Sequence, residues 1–141
     1  MARLAIISAS ALLALVGCDE GVSAAKIGEK SQVTLQLLDF TYEFTDGRHR
    51  YNHRRVFAET GGVGTTIVRG RVCVENGADC ADALVNYRIE ASKTLEQTGH
   101  YVATRAAKDR IILHYWAEDD LGNKYEFEKV VITDGKAAKV E

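Results

Sequence analysis

The chain has 141 residues, of which 18 are basic and 20 are acidic, and its formal net charge at pH 7 is −2. Such a balance provides no basic surface, so we expect no nucleic-acid partner. The length predicts one domain with a single core. Proline is absent and glycine occurs 12 times, so the turns must depend on Gly, Asn and Asp.

The N-terminal residues have the pattern of a secretory signal. Arg3 precedes an apolar run over residues 4–16, which is shorter than the roughly 20 residues that a membrane-spanning helix needs. The run ends in Leu15-Val16-Gly17-Cys18, which resembles the lipobox of bacterial lipoproteins. The resemblance implies that residues 1–17 are a signal peptide removed on export and that Cys18 becomes the lipidated first residue.

A second processing site is also present in the sequence. Val22-Ser23-Ala24 and Ser23-Ala24-Ala25 have the small residues at which an ordinary secreted protein is cleaved. The number of cysteines favours lipidation, because an odd cysteine in a secreted protein needs a role of its own. If Cys18 is acylated, Cys73 and Cys80 remain as the pair for a disulfide bond.

Lipidation predicts a protein that is held at the bacterial cell envelope and faces the periplasm, since two or three acyl chains attach a protein stably to a membrane. Asp19 follows Cys18 and resembles the signal that retains lipoproteins in the inner membrane of enteric bacteria. That rule varies among bacteria, so the choice between the inner and the outer membrane stays open. Residues 18–30 are predicted to be a short linker, and residues 31–141 the folded domain.

The first strongly patterned segment of the domain predicts a β-hairpin. Apolar residues alternate from Val33 to Phe44, and a change of phase near Leu37-Leu38 indicates a bulge or burial on both faces. Asp46-Gly47 is typical of a two-residue turn, so residues 48–57 should return antiparallel to the first strand.

The register of this hairpin places complementary side chains opposite each other. Asp39 faces Arg54 and Glu43 faces Arg50, and opposite charges across strands are favourable. On the other face the same register makes three aromatic pairs: Phe40 with His53, Tyr42 with Tyr51 and Phe44 with His49.

A second hairpin is predicted around Asn76-Gly77, between a strand over residues 65–74 and an arm over residues 78–80. Cys73 then lies directly opposite Cys80 at a hydrogen-bonded site, and a slightly longer loop would improve the approach of the two side chains. A disulfide there would hold a hairpin together and not the core.

Further strands are predicted over residues 84–91, 99–104, 111–117 and 124–133. The run 111–117 is apolar on both faces, so it should be central in its sheet. In the strand over residues 65–74, Val68, Val72 and Val74 should share one face. About seven short strands with turns roughly ten residues apart predict an all-β, antiparallel β-sandwich.

The last hairpin resembles the terminal hairpin of bacterial immunoglobulin-like domains of the hyalin-repeat and related types. Those domains have an aromatic residue, then Ala-x-Asp-x-x-Gly-Asn, then an alternating strand. The residues that carry the resemblance are Tyr115, Ala117, Asp120, Gly122 and Asn123, with one extra residue between Ala117 and Asp120. The resemblance implies an immunoglobulin-like sandwich that serves as a non-catalytic binding or spacer module.

One segment of the second strand is rich in basic residues and is a candidate binding surface. It contains four arginines, namely Arg48, Arg50, Arg54 and Arg55. An anionic partner such as lipid head groups, lipopolysaccharide or an acidic protein face would suit it. The alternative interpretation is a solvated strand whose arginines pair with Asp39 and Glu43.

The loop with Gly61 and Gly62 lacks the lysine of a phosphate-binding P-loop, so we interpret it as a flexible tip that contacts a partner. On a strand, His49 and His53 are roughly 13 Å apart and cannot share a metal ion. No catalytic motif is recognisable, so we expect no enzyme activity, small-molecule substrate, cofactor or metal.

Two functions fit these features. The first is a membrane-anchored bacterial envelope lipoprotein whose sandwich binds or positions another envelope protein, as an accessory or assembly component. The second is a membrane-tethered inhibitor or exclusion factor, in which Gly61-Gly62 or the Cys73–Cys80 hairpin blocks a lytic enzyme, a phage component or a secretion apparatus.

Overall fold

The computed structural model describes residues 28–141, so Cys18, the predicted signal peptide and most of the predicted linker lie outside the described residues. In the described part the chain forms eight β-strands and one 3-10 turn, Glu75–Gly77. The strands are, in chain order, β1 Val33–Thr45, β2 Arg48–Glu59, β3 Thr65–Val74, β4 Asp79–Ile89, β5 Thr94–Thr104, β6 Lys108–Asp119, β7 Lys124–Asp134 and β8 Ala137–Val140. This part contains no helix long and apolar enough to cross a membrane.

The strands form two antiparallel sheets, with the orders β1-β2-β5 and β4-β3-β6-β7-β8. The predicted all-β, antiparallel sandwich is confirmed, and β6 is central in the larger sheet as expected. The strand number is eight because the sequence prediction missed β8, which has only four residues. The predicted arms over residues 78–80 and 84–91 are one continuous strand, β4.

The core lies between the two sheets and is built around Phe57 on β2. Its fully buried ring meets the ring of Tyr115 edge to face, with centroids 5.3 Å apart, and lies 6.3 Å from the ring of Phe127. Edge-to-face pairs stabilise a core beyond the area that they bury. Phe57 thus joins the central strand of the smaller sheet to two strands of the larger one.

The prediction that Val68 shares the inner face with Val72 and Val74 is wrong. A register shift between Ile67 and Arg69 interrupts the alternation of β3, so Ile67 is fully buried and Val68 is 42% exposed. At an irregularity of this kind, odd-numbered and even-numbered side chains exchange the faces of the sheet that they occupied before it.

The first hairpin has the predicted register near its turn, where Glu43 pairs with Arg50. The two aromatic pairs nearest the turn, Tyr42 with Tyr51 and Phe44 with His49, are also confirmed. The predicted bulge lies one residue further on, at Asp39, which has a positive φ of 58°. Because of the bulge Arg54 pairs with Leu38, but its Nε still donates to Asp39 Oδ2 at 2.8 Å.

The second hairpin closes with the predicted Cys73–Cys80 disulfide, and the two cysteines are register partners. The connection is longer than the predicted two-residue turn, because Glu75–Gly77 forms a 3-10 turn before β4 begins. The Cα atoms of the cysteines are 4.0 Å apart, which is the spacing of a non-hydrogen-bonded pair. The longer loop therefore gives the disulfide the more favourable site.

Three buried carboxylates hold the loops of this proline-free chain. Glu59 accepts the backbone N–H groups of residues 32, 61, 62 and 92. Asp109 accepts those of residues 75, 76 and 110, and Asp119 those of residues 31, 121 and 123. Charge-assisted hydrogen bonds of this kind are roughly twice as strong as neutral ones.

The buried aspartate of the last hairpin is Asp119 and not Asp120. Asp119 accepts, besides backbone N–H groups, a hydrogen bond from the side chain of Asn123 at 2.9 Å. Placed on Asp119, the pattern Ala117-x-Asp119-x-x-Gly122-Asn123 needs no extra residue. Asp120 is exposed and forms an ion pair with Arg88.

We expect Asp119→Asn to lower stability at pH 7 and to flatten its pH dependence in acid. Burial acts to raise the pKa of Asp119, but hydrogen bonds from Ser31 and Asn123 outweigh it and lower the pKa from 3.8 to about 2. The stabilisation by the charge is present above about pH 4 and is lost as the pH falls through about 2. Urea unfolding of both proteins across this pH range measures the difference in their free energies of unfolding.

The matched control for this prediction is Asp120→Asn, at the exposed neighbouring carboxylate. It should change stability much less, since exposed ion pairs contribute little. Equal losses in the two variants would contradict the role that we give to Asp119.

Removal of the disulfide should cost little and leave the fold intact. The bond joins residues only seven positions apart, and closing so short a loop is worth at most about 2.5 kcal/mol in the chain-entropy model. Urea unfolding of the Cys73→Ser/Cys80→Ser double variant should show a lower midpoint with an unchanged slope. A loss of cooperative unfolding would show that the bond holds the core.

Candidate partner-binding surface

The first described residues identify one end of the sandwich. The backbone N–H of Ser31 donates to Asp119 at 3.0 Å, and that of Thr60 donates to the carbonyl of Gln32 at 2.8 Å. Segments 28–32, 60–64, 90–93 and 120–123 lie at this end, which we call the N-terminal pole. The opposite end, the distal pole, contains the connections 46–47, 75–78, 105–107 and 135–136.

The four arginines of β2 do not form one surface. Side chains alternate between the two faces of a strand, so Arg48, Arg50 and Arg54 lie on the outer face of the smaller sheet. Arg55 lies on the inner face and is only 7% exposed. The prediction that Arg55 contributes to a surface patch is therefore not supported by its position.

Two outer arginines have the acidic neighbours that the sequence predicted. Arg54 lies between Asp39 on β1, at 2.8 Å, and Glu96 on β5, at 3.2 Å. Arg50 Nε lies 3.0 Å from Glu43 Oε1. Carboxylates from both neighbouring strands thus pair with Arg54.

Near the distal pole the outer arginines are accompanied by an exposed aromatic side chain. The guanidinium carbon of Arg50 lies 3.7 Å from the centre of the Tyr101 ring, and Tyr101 is 51% exposed. Phe44 is also exposed, but it pairs with His49 and lies on the opposite face of the hairpin. Among the described residues Arg48 has no carboxylate within 4 Å. We call Arg48, Arg50 and Tyr101 the distal surface.

The distal surface has the residue types of protein-binding hot spots, in which Tyr and Arg are enriched. Arg48 and Arg50 were candidates from the sequence, but Tyr101 was not. Tyr101 belongs to a polar, glycine-containing segment whose partner strand was not assigned, and only the pairing of β5 with β2 brings it to Arg50.

The loop with Gly61 and Gly62 is tied down by Glu59, in contrast to the flexible tip that we expected. Glu59 accepts the N–H groups of Gly61 and Gly62 at 2.7 and 2.9 Å. A Cβ atom at Gly61 would overlap the carbonyl oxygen of Lys30, so the loop packs against the first described residues. It belongs to the N-terminal pole, far from the distal surface.

The outer face of the larger sheet has a second group of aromatic and charged residues, centred on Trp116. The guanidinium carbon of Arg69 lies 4.5 Å from the indole centre, and the ring of His114 stacks on the indole at 4.2 Å. Asp82 binds both Arg69 and Arg71. Because these contacts cover the indole within the domain, the distal surface is the better candidate.

The histidines are engaged in separate contacts. His49 Nδ1 lies 3.0 Å from the hydroxyl of Tyr42, His53 Nδ1 lies 3.2 Å from the carbonyl of Tyr51, and His114 Nε2 lies 3.0 Å from Glu126. Residues 28–141 contain no group of three His, Cys, Asp or Glu side chains placed to hold a metal ion.

We expect Glu59→Gln to loosen the loop at Gly61 and Gly62. Burial acts to raise the pKa of Glu59, but backbone hydrogen bonds led by that of Ser92 lower it, so the carboxylate is charged at pH 7. Without this charge the exchange protection of the Gly61 and Gly62 amides should fall about tenfold or more. Hydrogen exchange measures it, and Glu90→Gln, at an exposed acid of the same pole, should leave both amides unchanged.

No protein-family model matches this chain, and no curated protein sequence matches it. Its structure is similar to that of a Bordetella pertussis protein that carries the name ApaA, with a TM-score of 0.58 and 11% identity over 78% of this chain and 92% of that chain. It is also similar to a structural-genomics target, SoR45, with a TM-score of 0.51 and 7% identity over 74% of this chain and 85% of that chain. At these identities the likeness establishes the β-sandwich fold.

Proposed function

We propose that this protein is a membrane-anchored bacterial envelope lipoprotein whose β-sandwich binds or positions another envelope protein, without catalysis. The lipobox-like sequence at Cys18 supports the anchor. The observation that carries the binding role is the distal surface, where the exposed Tyr101 ring and two arginines lie at the pole opposite the first described residues.

The arrangement suits a tethered binding module. If Cys18 is lipidated, the chain enters the domain at the N-terminal pole, which then faces the bilayer, while the distal surface faces the periplasm. The ten residues from Cys18 to Gly28 span at most about 35 Å, and the 12 residues of β2 add roughly 40 Å. The distal surface should therefore meet its partner within about 75 Å of the membrane.

The chemistry of the distal surface favours a protein partner with acidic side chains. Arg48 has no carboxylate within 4 Å among the described residues, so an acidic group of a partner can pair with it at little cost. Arg50 presents its guanidinium over the Tyr101 ring, and the exposed part of that ring offers an apolar contact. Apolar anchors next to arginines are typical of the centre of a protein interface.

One observation favours the alternative function, a membrane-tethered inhibitor or exclusion factor. The Cys73–Cys80 hairpin lies at the distal pole, and its tip is held by the disulfide and by Asp109. A rigid projection of this kind suits a blocking element better than the Gly61-Gly62 loop, which lies at the N-terminal pole. A comparison of phage and toxin sensitivity with and without the gene distinguishes this role from an assembly role.

The binding role is tested by photo-crosslinking in intact cells, with a benzophenone amino acid at single positions of the full chain. Tyr101 and Leu121 are similar in exposure, at 51% and 59%, but Leu121 belongs to the N-terminal pole. We expect position 101 to crosslink one envelope protein and position 121 not to do so. Arg48→Ala/Arg50→Ala should reduce the yield at position 101 at least about fivefold.

Equal yields at positions 101 and 121, or none at position 101, would contradict the distal surface as the binding site. The anchor is tested separately. Mass analysis of the mature N-terminus should show an acylated Cys18, and Cys18→Ala should release the protein from membranes. A processed form that begins near Lys26 would contradict the anchor.

A further inference from the structure

Arg55 is a buried cation without a carboxylate. It is 93% buried, since its exposure is 7%, and no acidic group among the described residues lies within 4 Å of it. Its Nη1 donates to the hydroxyl of Tyr115 at 2.8 Å, and its Nη2 donates to Gln97 Oε1 at 2.7 Å. Nη2 also lies 2.9 Å from His100 Nε2 and 3.5 Å from the hydroxyl of Tyr87.

These neutral partners leave the charge incompletely compensated. Arg55 Nε has no hydrogen-bond partner in the described part of the chain. Burial and the charge of Arg55 lower the pKa of His100, which agrees with a neutral ring whose Nε2 accepts from Arg55. Buried charges are normally paired with an opposite charge, so this site lacks an anion.

A cavity of about 200 Å³ adjoins Arg55. Its charged lining residues are Arg55, Arg71 and Asp82, and the rest of the lining is largely apolar, with Val72, Val85 and the rings of Tyr87 and Tyr115. It lies on the inner face of β3 and β4, where the first residues of β4 are exposed. Asp82 at the rim is already paired with Arg69 and Arg71, so it does not neutralise Arg55.

We propose that this cavity binds a small apolar monocarboxylate, of about the size of benzoate, whose carboxylate pairs with the Arg55 guanidinium. Apolar cavities of roughly 150 Å³ accept benzene, so the volume suits one ring with a carboxylate. Arginine binds carboxylates through two parallel hydrogen bonds, and the long Tyr87 contact and the unpartnered Nε are the weakest parts of its present shell. The site is separate from the distal surface and does not depend on the proposed function.

The experiment measures thermal unfolding of the full chain, purified in detergent, with sodium benzoate, benzamide or sodium phosphate at equal ionic strength. We expect saturating benzoate to raise the Tm by about 3 °C or more. The neutral benzamide and inorganic phosphate should have no comparable effect, because one lacks the charge and the other the apolar ring. An equal response to benzamide or to phosphate would overturn the assignment.

Two variants and one control test the position of the site. Arg55→Met keeps the length of the side chain and removes the charge, and its response to benzoate should be lost. Ala83→Leu, which fills the cavity from β4 and keeps Arg55, should also abolish the response, so the test holds even if Arg55→Met fails to fold. Leu84→Ala, on the outer face of β4 at 89% exposure, should respond like the parent. A response retained in Ala83→Leu would overturn the proposal.

Discussion

Backbone amides bound by buried carboxylates are the constraint on which this structure depends. The chain has no proline to stiffen its turns, and Glu59, Asp109 and Asp119 supply the rigidity. Glu59 and Asp119 hold the N-terminal pole, where the first described residues meet the loops, and Asp109 holds the turn at the tip of the disulfide hairpin. Both poles of the sandwich are therefore defined by the same kind of interaction, which is why their loops have fixed positions.

The same use of carboxylates explains the unusual state of Arg55. Each of the three buried acids already accepts several backbone N–H groups. None of these acids lies near the middle of β2. The outer arginines find acids on β1 and β5, whereas Arg55 has only hydroxyl, amide and imidazole groups around it. The outer face of β2 thus belongs to a solvated surface with the exposed ring of Tyr101. Its inner face has the buried positive charge of Arg55 beside a cavity.

Features set by neighbours in sequence were predictable. Both hairpins have the predicted partners near their turns, because a tight turn determines which residues face each other over the next few positions. The Cys73–Cys80 pair follows from the same reasoning. The prediction was wrong where a single irregularity changed the phase, as at Val68. It was also wrong where two aspartates stand side by side, since both the motif spacing and the burial select Asp119 and not Asp120.

Period-two alternation and contacts between adjacent strands were enough to predict the all-β class, the turns, the disulfide pair and the candidate arginines. The packing of the strands was needed to bring Tyr101 to Arg50 and to bring Arg55 to Tyr115 across the core. The first contact joins strands that are not consecutive in the chain, and the second joins opposite sheets. Their geometry depends on how the sheets pack, which alternation along a single strand does not encode.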